Sequence, residues 1–331
     1  MFNLGNHCSS PLPDVAPRCI GSRKNTASRA IVPLLVPMLC VLSVLSQPVQ
    51  AAPKWFSTTP QIRTFVSGLG SDNYPCTADR PCRTLKAALA LTTAGGQIYV
   101  LDSADYGPFT ITTAVTIAAD GAVAGVLATS GTGISISAGA NDVITLRGLN
   151  VDGSKTGNVG IQFNSGKSLN LQKTVLRAFA SAGLNFAPSG ASTLFISETT
   201  ATNNVNNGIL VSASTSVGGT LQRITATGNG TGILAAGGMV KITVSDTVAS
   251  NNHYGMGASA AALMVRNSTF NNNTVGIAAD QNGIVRVGQS TITANATGWQ
   301  ATNGAQIQSY GNNSVSGNTA NGIVPTAATL Q

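Results

Sequence analysis

From about residue 158 onward, apolar and polar side chains alternate with period two for three to five residues at a time, and each run breaks at Gly or Asn. A Gly followed by a large apolar residue recurs as Gly160-Ile161, Gly183-Leu184, Gly208-Ile209, Gly232-Ile233, Gly255-Met256, Gly276-Ile277, Gly298-Trp299 and Gly322-Ile323, at intervals of 23, 25, 24, 23, 21, 22 and 24. Period two means strands with one apolar face. Strands this short cannot bury that face alone, but stacked copies can, with equivalent residues about 4.8 Å apart along the stack. The pattern therefore predicts an all-β solenoid. The Gly content and the lack of 3.6-residue periodicity exclude a helical repeat, and a propeller blade needs about 40 residues.

Other columns share the register. Asn204, Asn229, Asn252, Asn273, Asn295 and Asn318 stand three or four residues before the Gly, and six residues before each lies a polar bend residue: Glu198, Arg223, Asp246, Asn267, Gln289 and Asn312. Between them run an apolar column (Ala201, Ala226, Ala249, Phe270, Ile292, Val315) and an outward, Thr-rich one (Thr200, Thr225, Val248, Thr269, Thr291, Ser314). Asn suits a repeated turn: it tolerates left-handed backbone, and its amide can both donate to and accept from the Asn above and below. These residues are read as a structural Asn ladder. Trp299 falls in the inward column with Ile277 and Ile323.

Composition changes the picture mainly at the N-terminus. Arg18, Arg23, Lys24 and Arg29 precede an uncharged stretch whose apolar heart, Ile31 to Leu45, has the length of a signal-peptide core, and Val49-Gln50-Ala51 presents small residues for cleavage. Residues 1–51 are read as a signal peptide, which implies a periplasmic or extracellular location and no stable membrane insertion after cleavage. Of five Cys, only Cys76 and Cys82 lie beyond Ala51, and in an oxidising compartment they would form one disulfide. The remaining chain carries 14 basic and 10 acidic residues, a weak bias without the basic stripe of a nucleic-acid binder.

The recurrent Asn-Asn…Gly-Ile unit resembles the repeat of the pectate-lyase-like right-handed parallel β-helix superfamily. Thr64-Phe65-Val66-Ser67, Gly70-Ser71-Asp72 and Pro81-Cys82-Arg83-Thr84-Leu85 are similar to the leading segment of its secreted bacterial members, and the likeness covers about residues 64–325. It implies a right-handed parallel β-helix of roughly nine to ten coils. In it, Thr84 would N-cap a short helix of Leu85, Ala88 and Leu89 over the open apolar end. The organisation expected is a leading and capping segment with the disulfide (52–97), the β-helix (98–325) and a tail (326–331). Calcium enters only through this resemblance; no cofactor or metal site is read from the residues themselves.

Chemistry is sparse. On the outer face of the strand after each Gly, two residues on, stand Gln162, Asn185, Leu210, Leu234, Gly257, Ala278 and Gln300; four residues on stand Asn164, Ala187, Ser212, Ala236, Ser259, Asp280 and Thr302. One carboxylate, Asp280, meets neither the two-carboxyl requirement of glycoside hydrolysis nor the base and charge neutralisation of a lyase. At the bend column Lys173, Glu198, Arg223 and Asp246 alternate in sign on consecutive coils, and Asp152 and Arg177 repeat this nearby. They read as exposed pairs marking register. Glu198 with Asp246 is the alternative acid/base pair, spoiled by Arg223 between them, which would keep both ionised. His253 reads as an exposed turn residue beside Tyr254, the one free aromatic candidate for stacking on a sugar. The expectation is an exported structural or glycan- or protein-binding β-helix, leaning away from an enzyme, with a cell-envelope component or polysaccharide as partner. The alternative is a polysaccharide lyase or glycoside hydrolase with an atypical site, with Glu198, Arg223, Asp246 and Asp280 as its candidates.

Overall fold

A computed structural model describes residues 59–329; the segment read as an export signal lies outside them. Thirty-two short strands and one helix form three parallel sheets that the chain visits in turn. We call these the long-strand sheet (twelve strands, Gln61–Val66 to Thr326–Ala327), the short-strand sheet (ten, Ala104–Asp105 to Ser314–Ser316) and the glycine sheet (ten, Phe109–Ile111 to Ala320–Gly322). Each coil contributes one strand to each sheet, and about ten coils make a right-handed parallel β-helix. The long-strand sheet begins at Gln61, inside the segment read from sequence as leading and capping.

The core consists of stacked columns. Ile98, Ile117, Leu146, Leu171, Ile196, Leu221, Val244, Val265 and Val287 succeed one another in register along the long-strand sheet, all at most 5% exposed. Ile134, Ile161, Leu184, Ile209, Ile233, Met256, Ile277 and Trp299 do so in the glycine sheet. Each such side chain contributes about 1.5–3 kcal/mol by leaving water. The Gly beside each is required by close approach. A Cβ on Gly160, Gly208 or Gly255 would lie 2.4, 2.6 or 2.5 Å from the Gly carbonyl oxygen of the next coil.

Two corners of each coil from Leu169 to Asn295 are built alike. The bend residues Lys173, Glu198, Arg223, Asp246, Asn267 and Gln289 have φ of 47–53°, and Ala178, Asn203, Asn251, Asn272 and Ala294, just before the Asn column, have φ of 54–59°. With Gly228 (φ 69°), left-handed residues thus flank each strand of the short-strand sheet from Val175–Arg177 to Thr291–Thr293. From the column in register with Leu169 (Leu194, Gly219, Ile242, Leu263, Val285) to the bend is four steps in every coil from Leu169–Lys173 to Val285–Gln289. From bend to Asn column it is six, from Lys173–Phe179 to Gln289–Asn295. The third corner, between the glycine and long-strand sheets, differs: Gly255 to Leu263 spans eight steps and Gly183 to Leu194 eleven.

The Asn side chains at the second corner are buried from Asn204 to Asn295. The Nδ2 of each donates to the Oδ1 of the next at 2.9–3.1 Å, from Asn204–Asn229 through Asn295–Asn318. The same Oδ1 also accepts from the backbone N–H of the preceding Asn, and Nδ2 donates to a carbonyl one coil back, as from Asn252 to Ala226 (3.0 Å). A second buried ladder, unread in the sequence, sits just past the bend. The hydroxyls of Thr174, Thr199, Thr247, Ser268 and Ser290 each donate to the carbonyl two residues back. Those of Thr247, Ser268 and Ser290 also accept from the N–H of Ile224, Thr247 and Ser268.

The ends depart from the repeat. Thr84 N-caps the helix Leu85–Leu91, its hydroxyl accepting from the Ala87 N–H at 3.1 Å, and buries Leu85 and Ala88 against the first coils. The disulfide Cys76–Cys82 is buried beside Gln61–Val66, where Phe65 N–H donates to the Cys76 carbonyl (2.8 Å). At the other end the placement of Ile323 in the inward column is wrong. Asn321, bonded to the Asn318 amide at 3.1 Å, takes the glycine column, so Gly322 faces Trp299 and Ile323 is 37% exposed. Trp299 itself is inward and buried.

Candidate functional site

The residues singled out from sequence do not come together. Glu198 and Arg223 form an exposed ion pair (3.0 Å), as do Asp152 and Arg177 (2.9 Å), whereas Lys173 makes no ion pair among the described residues. Two exposed pairs of the kind read from the sequence are thus formed, with Lys173 and Asp246 outside them. Asp246 instead accepts a short hydrogen bond from the Asn267 amide. That bond, then the Ser245 hydroxyl and more weakly Arg223 and Arg266, hold its carboxyl below the ordinary aspartate range. Asp280 is held low in the same way by the amide of Asn303 (2.7 Å) and the hydroxyl of Thr302 (2.9 Å), both on Oδ1. Neither carboxyl is suited to give up a proton near neutral pH, as a general acid must. His253 is exposed, edge-on to Tyr254 at 4.4 Å.

The long-strand sheet presents a different surface. Its outward columns run Gly218, Lys241, Ala262, Ile284 and Thr220, Thr243, Met264, Arg286, Gln308, with Arg266 one column further on. Lys241 and Arg286 line one hollow of about 320 Å³ floored by Ala262 and Met264. Arg266 and Tyr310 line another of about 630 Å³ on the far side of Met264. No carboxylate lines either hollow, and none of the three cations is in an ion pair among the described residues. Toward the N-terminus the surface continues into a trough beside Phe195, over Gly218 and Thr220. Gly218 faces open space, and a side chain there would stand in the trough without a clash. From Phe195 to Tyr310 the track crosses five strand spacings, on the order of 24 Å.

Sequence reading missed this surface because Lys241, Arg266 and Arg286 lie on three coils and in three columns. Only the register of the long-strand sheet brings them together, whereas the clearer repeat lies in the glycine strands. It also missed Asp102. That carboxylate accepts from the Gly68 N–H, the Ser67 hydroxyl and the Tyr106 hydroxyl, each at 2.6 Å, and in that order they hold it below the ordinary aspartate range. Burial, and then Asp102, push the Tyr106 phenol up. The cluster fastens the first coil's turns and has no open cavity beside it in the hollows described.

No family model matches the chain, and no curated protein matches it in sequence. Its likeness is three-dimensional. Pectate lyase Pel9A superposes with a TM-score of 0.65 over 84% of this chain and 80% of its own, at 16% identity. The chain has the pectate-lyase-like β-helix fold. Weaker likenesses to such β-helices are a rhamnogalacturonan lyase (TM-score 0.48, 14% identity, 74% of this chain and 75% of that one) and the A-module of mannuronan C-5 epimerase AlgE4 from Azotobacter vinelandii (0.49, 12%, 72% and 91%). At these identities the pectate-lyase-like likeness concerns the backbone, and the site must speak for itself. Among the described residues no group of three or more His, Cys, Asp or Glu side chains is placed to hold a metal ion. No described helix is long and apolar enough to cross a membrane.

Proposed function

We propose that the chain is an exported polysaccharide-binding β-helix that holds an acidic glycan along the outer face of its long-strand sheet. The observation that carries this reading is the track itself: Lys241, Arg266 and Arg286 around Met264 with no lining carboxylate, and Tyr310 at its end. Regularly spaced carboxylates of a polyuronate would meet these cations, and an extended chain would follow the trough from Gly218. The fold is shared with a pectate lyase, an enzyme named for an acidic polysaccharide. The disulfide Cys76–Cys82 supports export to an oxidising compartment. The ionised state of Asp246 and Asp280 supports binding over acid-catalysed hydrolysis.

The test is titration of the purified, disulfide-bonded protein with polygalacturonate and with a neutral glucan, at low and high salt, while following unsaturated ends. Binding should favour the polyuronate and weaken with salt. A Lys241→Ala/Arg286→Ala double variant should bind about tenfold more weakly. Equal binding by the double variant would remove this surface from consideration, and unsaturated product would replace binding by lyase chemistry.

A further inference from the structure

The glycine sheet carries a second concavity, of opposite electrostatic character. Its outward column reads Leu234, Gly257, Ala278, Gln300 on four successive coils, and the missing side chain at Gly257 leaves a hollow of about 280 Å³. That is at the lower end of the size of ligand pockets, about 300 Å³. Leu234 and the Tyr254 ring form its apolar sides; Ser259, Asp280, Gln300 and Thr302 bring polar groups to it. Asp280 Oδ1 takes both of its side-chain hydrogen bonds, and the Gln281 backbone N–H bears more weakly on the same exposed carboxylate. No cationic side chain lines the hollow.

An apolar floor with one aromatic ring and a few convergent acceptors matches a pyranose, which has an apolar face and a rim of hydroxyl donors. A carboxylate that stays charged accepts strongly from hydroxyls but repels an acidic sugar. We propose that this hollow is a separate subsite for one uncharged pyranose unit, held against Tyr254 and hydrogen-bonded to Asp280. It lies on a different sheet from the cationic track and does not depend on that reading. With both occupied, one solenoid would tether an acidic glycan to a neutral one.

The experiment is calorimetric titration of the full disulfide-bonded protein with gluco-, manno-, galacto- and N-acetylglucosamine oligosaccharides, a glucosamine oligomer and a galacturonate oligomer. Gly257→Leu fills the hollow, its Cβ meeting the flexible end of Leu234 at 3.1 Å and the Thr231 methyl at 4.0 Å. Tyr254→Ala removes the ring. At least one neutral oligosaccharide should bind, and each variant should weaken it by about tenfold or more while leaving polygalacturonate binding and the melting temperature near those of the parent. Asp280→Asn should weaken the neutral ligand and let the galacturonate oligomer compete at this hollow. The proposal is overturned if no neutral oligosaccharide binds the folded protein, or if only the ammonium-bearing oligomer does. It is also overturned if binding is indifferent to both Gly257→Leu and Tyr254→Ala, or if Asp280→Asn leaves the preference unchanged. Loss of polyuronate binding in Lys241→Ala/Arg286→Ala, with neutral binding intact, keeps the two surfaces distinguishable.

Discussion

Two ladders climb the same solenoid six residues apart from Glu198–Asn204 to Asn312–Asn318, and they differ in what they do. The Asn column is buried, and each amide in its middle meets donors and acceptors from the coils on both sides. The bend column is exposed, and its best pair, Arg223–Glu198, is about half in water. Both recur with equal regularity in the sequence. Burial separates them: an unmade hydrogen bond inside costs the full desolvation of the groups left behind, whereas an exposed ion pair exchanges one solvated state for another.

The comparison can be broken at several points. The largest effect should come from Asn252→Ala, which strands the Asn229 N–H and amide and the Ala226 carbonyl together; a loss of about 3 kcal/mol in denaturant unfolding is expected. Thr247→Val, on the hydroxyl ladder, removes one acceptor from the Ile224 N–H and should cost about 1–2 kcal/mol. Asp102→Asn tests a charged anchor at the first coil and should cost a similar amount at neutral pH. Because the Asp102 pKa is depressed in the folded state, its contribution is complete above the ordinary aspartate value of 3.8 and disappears as pH falls through the lower folded value. The gap between parent and Asp102→Asn should therefore close in acid; a constant gap down to pH 2 would show that the charge is not what matters. The smallest effect belongs to Arg223→Ala, about 0.5 kcal/mol and diminishing with salt. A cost for Arg223→Ala as large as that for Asn252→Ala would refute the contrast.

What the sequence made legible follows from the same physics. Gly160 through Gly298 and the Asn column stand out because one steric or buried-polar constraint is imposed anew on coil after coil. Trp299 could be placed inward for that reason. Ile323 could not be placed correctly, because Asn321 and Gly322 fit the repeat equally well on spacing, and a hydrogen bond to Asn318 decides between them. Thr174, Thr199 and Thr247 were hidden by abundance: Thr is common on the solvent face as well, so its recurrence one place past the bend carries little signal. Surface sites are less legible still. The hollow at Gly257 is made by a side chain that is missing between Leu234 and Gln300, and the cations of the long-strand sheet converge only across three coils. Neither repeats, so neither leaves a period to find.

The unequal corners have a consequence for how such a chain can change. From Leu169 to Asn295, four and six residues are fixed at two corners by left-handed backbone and buried ladders, while the third takes eight to eleven without disturbing the strands on either side. Through these coils length is thus a free variable along one seam. Residues added there join no ladder and alter no register, yet they overhang both the glycine and the long-strand faces. That seam is where a new loop can be grafted, and where recognition can diversify while the scaffold beneath stays constant.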